Sequence, residues 1–65
     1  MMLTPYQHGV VREVRHAGFF DVTNKQFQDE PEAKEQLLEL EQLGIIMPSG
    51  YVGKYVRGLN HDYWL

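Results

Sequence analysis

The 65-residue sequence contains no cysteine, so neither a disulfide nor a thiolate metal site can support the fold. Its longest apolar runs fall far short of the roughly 20 residues that span a bilayer. Met1-Met2-Leu3 runs straight into polar residues, without the charged and apolar regions of a secretory leader. The expectation is therefore a protein that works inside the cell and does not enter a membrane. Ser49 is the only serine, and it sits in a Pro-Ser-Gly turn cluster without the Gly-x-Ser-x-Gly setting of a hydrolase nucleophile. The glycines are scattered, with no phosphate-cradling spacing. His8, His16 and His61 lack the four-residue spacing of a helical metal pair. These absences, with a core too small to enclose a dry cleft, lead us to expect no enzyme activity, metal, cofactor or small-molecule substrate.

What remains is ordinary globular material, 43% hydrophobic and 23% charged, enough for one domain over residues 1–65. The net charge of −3 is unevenly spread. Residues 21–43 set Lys25 and Lys34 against seven carboxylates: Asp21, Asp29, Glu30, Glu32, Glu35, Glu39 and Glu41. The flanking segments are weakly basic, with Arg12 and Arg15 before it and Lys54 and Arg57 after it.

Thr4-Pro5 with Gln7 three residues after the cap forms a capping box, opening a first helix that Gly18 stops. Helical spacing puts Tyr6, Val10, Val14 and Ala17 on one face, and His8, Arg12, Arg15 and His16 opposite. Phe19 to Val22 reads as a link or short strand. Thr23 and Gln26 repeat the capping pattern, predicting a short second helix near residues 24–28 anchored by Phe27. Pro31 restarts the chain into a third helix running to about Leu43, with Ala33, Leu37, Leu40 and Leu43 buried and Gly44 after its end. Glu32, Glu35 and Glu39 share its outer face, and Leu38 lies off the buried stripe. Residues 45–56, interrupted by Pro48-Ser49-Gly50, read as a β-hairpin. The tail ends in Tyr63-Trp64-Leu65, so aromatic that we expect Trp64 to fold back. Whether Tyr63 and Trp64 cap the core or face a partner is open at this level.

The stretch LLELEQLGIIMPSGYVGKYVRGL, residues 37–59, resembles the end of the third helix and the wing of the winged helix-turn-helix superfamily. TNKQF resembles its short second helix. The resemblance implies an α+β fold, a small winged helix of three helices with a C-terminal β-hairpin wing. It also implies a binding role, in which the third helix enters the DNA major groove and the wing touches the backbone.

Here the matching helix carries Glu32, Glu35 and Glu39, which a duplex repels. The first reading is therefore a non-enzymatic protein-interaction or regulatory module. Its working surface would comprise Glu32, Glu35, Leu38, Glu39, Tyr51, Tyr55, Tyr63 and Trp64, and its partner a protein or a second copy. The alternative is a DNA-binding regulator touching the backbone through Arg12, Arg15, Lys54 and Arg57. A chain of this size also fits an accessory protein of a phage or mobile element.

Overall fold

The computed structural model describes residues 2–24 and 29–65. Helix α1 (Pro5–Ala17) begins with the expected reciprocal box. The Gln7 amide donates to Thr4 Oγ1 at 3.1 Å, and the Thr4 amide donates to Gln7 Oε1 at 2.9 Å. Gly18 stops the helix in the left-handed region at φ 90°, where a side chain would be strained. Helix α2 spans Ala33–Gln42, with Gly44 behind it at φ 74°.

Strands β1 (Phe20–Asp21), β2 (Ile46–Pro48) and β3 (Lys54–Arg57) form an antiparallel sheet in the order β1-β3-β2. Pro48 cannot donate to a ladder, which suits β2 to its place at an edge. In β1–β3, Phe20 faces Tyr55 and Asp21 faces Lys54; in β2–β3, Ile46 faces Arg57 and Met47 faces Val56. Because side chains alternate, Phe20, Tyr55, Ile46 and Arg57 share one side of the sheet, and Asp21, Lys54, Met47 and Val56 the other. The first side meets the helices. Phe20, Ile45 and Ile46 join Val10, Val11, Val14, Leu37, Leu40, Tyr6 and Trp64 in one core. Of the expected core, Val10, Val14, Leu37 and Leu40 are buried and Leu43 packs against the rest half-buried, while Phe27 lies outside the described residues.

The α+β class holds, but the expected winged helix, three helices followed by a C-terminal hairpin, does not. Two of the described helices precede the hairpin; a third, α3 (His61–Trp64), follows it, and β1 converts the hairpin into a three-stranded sheet. The predicted short helix around 24–28 falls almost entirely outside the described residues. Thr23, the cap expected for that helix, donates through its amide and hydroxyl to Asp21 Oδ1, at 2.9 and 2.7 Å. Helix α2 also starts after Pro31, with Glu32 as a left-handed cap at φ 58° and no side-chain cap bond.

The tail follows from a close crossing of backbones. A Cβ on Gly58 would lie 2.2 Å from the Gly44 carbonyl oxygen, so no side chain fits there. Across the crossing, the Gly58 amide donates to Ile45 O at 2.8 Å and the Asn60 amide to Gly44 O at 2.9 Å. Asn60 then caps α3, accepting from the Tyr63 amide, and Trp64 swings under the core. Its indole N–H donates to Ile45 O at 2.8 Å, so a buried polar group gains a partner as about 3 kcal/mol of aromatic surface leaves water.

Candidate protein-interaction surfaces

Three features of the surface stand out once the core is removed from consideration. The first is the side of the sheet away from the helices. Phe19 precedes β1 and belongs to this side by alternation; it is 41% exposed, and Met47 is 39% exposed. Tyr51 and Val52 stand almost free in the hairpin loop. Lys54 Nζ lies 5.0 Å from the Phe19 ring centroid and 5.7 Å from that of Tyr51, within cation–π range of both. The strand charges on this side are Asp21 and Lys54, cross-strand partners. Asp21 is held below the ordinary carboxylate range, first by the Thr23 amide, then by the Thr23 hydroxyl, with Lys54 adding to it. No described element covers this face.

The second feature is at Trp64. The Arg15 guanidinium lies 5.1 Å from the ring centroid and that of Arg57 4.8 Å, while Tyr63 meets the ring edge-on at 5.3 Å. Residues 42 positions apart in sequence thus converge on one indole, brought there by the C-terminal end of α1, the end of β3, and α3. Both arginines remain exposed.

The third is a cavity of about 580 Å³ between the sheet and α2, with apolar wall from Tyr6, Val22, Ala33, Leu37 and Tyr55 and charged groups from Asp29, Glu30 and Lys34. Burial raises the phenols of Tyr6 and Tyr55, helped at Tyr6 by Glu30 and at Tyr55 by Glu41. Both stay protonated near neutrality, as hydrogen-bonding groups rather than bases.

The expected interaction residues are divided by this arrangement. Glu32, Glu35 and Leu38 are exposed on α2, and Tyr51 on the hairpin loop. Trp64 is buried, Tyr63 packs on it, and Tyr55 lines the cavity, so these three belong to the interior more than to a free patch. Glu39 is exposed yet committed: it accepts from Gln7 Nε2 at 2.8 Å. Gln7, only 1% exposed, also donates to Gln36 O at 3.0 Å, and the Thr4 hydroxyl donates to Gln36 Oε1. Gln36 Nε2 in turn reaches Glu30 and Pro31. One capping box therefore also locks α1 to α2, a role that its local pattern does not announce.

Of the four expected nucleic-acid cations, Arg15 and Arg57 meet at Trp64, Arg12 is exposed on α1, and Lys54 lies on the other side of the sheet. Sequence reasoning missed Phe19, Met47 and Val56 as a face. The Phe19-Phe20 and Ile45-Ile46-Met47 runs carry apolar residues at successive positions, so alternation alone does not say which side is buried. Among the described residues no helix is long and apolar enough to cross a membrane, and no three His, Asp or Glu side chains cluster as metal ligands. Compared with protein-family models, curated proteins and solved structures, the chain matches none.

Proposed function

We propose that the chain is a non-enzymatic protein-interaction module whose main docking surface is the uncovered side of its sheet, and that this surface pairs with a second copy of the chain. The observation that carries the reading is the one-sided cover of the sheet: the helices bury Phe20 and Ile46, and leave Phe19, Met47 and Tyr51 in water. A small domain gains by covering such a face. Its charges favour a copy of itself. Among the described strand residues this side carries one carboxylate, Asp21, and one ammonium, Lys54, and a two-fold axis running between them sets each against its opposite. The apolar area is roughly a few hundred Å², below the ~800 Å² per partner of a stable complex, so the association is weak and reversible.

Duplex binding would need the four cations on one surface. Lys54 stands apart from Arg15 and Arg57, and residues 21–43 are strongly acidic, which weighs towards a protein partner. Sedimentation equilibrium over a wide concentration range tests the reading. A monomer–dimer equilibrium that Met47→Lys abolishes supports it. A chain that stays monomeric at millimolar concentration, or a dimer indifferent to Met47→Lys, refutes it.

A further inference from the structure

We infer that Arg15 and Arg57, stacked on Trp64, form a binding site for the carboxylates of an acidic segment on a partner protein. The inference rests on reading the chain as a protein-interaction module but uses a different surface, on the helix-covered side of the sheet.

Two guanidiniums sit over one indole, at 5.1 and 4.8 Å from its centroid. Among the described residues neither is paired with a carboxylate, although the chain has nine acidic side chains against six lysines and arginines. Both guanidiniums are within cation–π range of the ring. Packing a guanidinium on a ring occupies its flat face and leaves the N–H donors at its edge, the fork that takes a carboxylate side-on. The ring is itself fixed by its hydrogen bond to Ile45 O and by the edge of Tyr63, so the arginines rest on a rigid platform. Less side-chain freedom is then lost on binding.

The ligand is a peptide rather than a nucleic acid because the positive patch is small. Arg12, exposed three residues before Arg15 on α1, is its natural extension, whereas Lys54 lies across the sheet and the acidic segment 21–43 opposes a long polyanion. Two arginines match one or two carboxylates, not a continuous phosphate track. If the two side chains only shield the indole with their stems, no saturable anion binding follows.

Trp64 is the sole tryptophan, so its fluorescence reports on this site alone. The full chain is titrated at low salt with hexaglutamate, with inorganic phosphate and with a short DNA duplex. Hexaglutamate should change the emission saturably, weaken by roughly tenfold in Arg15→Gln and again in Arg57→Gln, and bind the Lys54→Gln variant as it binds the unaltered chain. Should either arginine variant fold poorly, NMR of the unaltered chain gives the same answer: the Trp64 indole N–H and the Arg15 and Arg57 Nε–H signals shift on adding peptide. No saturable change, equal loss in Lys54→Gln, or tighter binding of phosphate or duplex than of hexaglutamate would overturn the proposal. Met47→Lys separates the two ideas, since it should end self-association and leave peptide binding intact.

Discussion

On one side of the three-stranded sheet Phe20 and Ile46 are 0% and 1% exposed; on the other, their chain neighbours Phe19 and Met47 are 41% and 39% exposed. The residue types are nearly the same, so hydrophobicity does not explain the difference. The helices do. Both α1 and α2 pack on the Phe20 side, held to each other by the Gln7, Gln36 and Glu39 bonds, and α3 tucks Trp64 against the same core. The described helices cover one side, and no described element covers the other. An exposed apolar residue on a covered sheet would be an isolated accident; a row of them on a bare one is a surface.

The comparison breaks first at the strands. Ile46→Ala should destabilise by about 2–5 kcal/mol, whereas Met47→Ala, one residue on, should change stability by roughly 0.5 kcal/mol or less. Denaturant unfolding of the two variants measures the contrast, and equal losses would mean the outer side is covered after all. Gly58→Ala should cost roughly 1–3 kcal/mol or more by forcing apart the crossing that lets α3 reach the core side. Its signature is a red-shifted Trp64 emission along with the lower stability; an unchanged emission maximum would show that the tail packs without that crossing.

The lock between the helices comes next. Gln7→Leu keeps the bulk but removes the donors to Gln36 and Glu39, and should cost about 1–3 kcal/mol in thermal or chemical unfolding. A neutral effect would mean that packing alone holds α1 and α2 over the sheet. The smallest effect lies on the outer side itself, at Asp21→Asn. Because the folded protein lowers the Asp21 pKa, the contribution of its carboxylate is present above the ordinary aspartate range and lost as pH falls through the folded value. The unaltered chain should therefore be slightly the more stable near neutral pH, and the two should converge in acid once the carboxylate is protonated in the folded protein; a gap that widens in acid would contradict the Thr23 bonds as its source.

Much of this was legible locally. The Thr4–Gln7 box, the Gly18 and Gly44 stops, the Val10, Val14, Leu37 and Leu40 stripe and the hairpin after α2 all depend on neighbours within a turn or a tight loop, and the sequence displays those neighbours. The exposure of Leu38 belongs with them, since the helical period alone moves it off the stripe.

The winged-helix expectation failed where sequence spacing says nothing about distance. Phe20 pairs with Tyr55 and turns a hairpin into three strands, and Gly58 finds Gly44 and so admits a third helix after the sheet. Glu39 reads as a free surface charge until Gln7 is placed beside it, and Arg15 and Arg57 read as separate solubilising charges until both are found at one indole. The sequence by itself determined where α1 starts and stops, where α2 stops and which residues of these two helices form the buried stripe, because those are set by bonds and side-chain contacts a few residues apart. Only the tertiary structure decided which side of the sheet is buried and which cations share a ring, because both depend on where the distant helices come to rest.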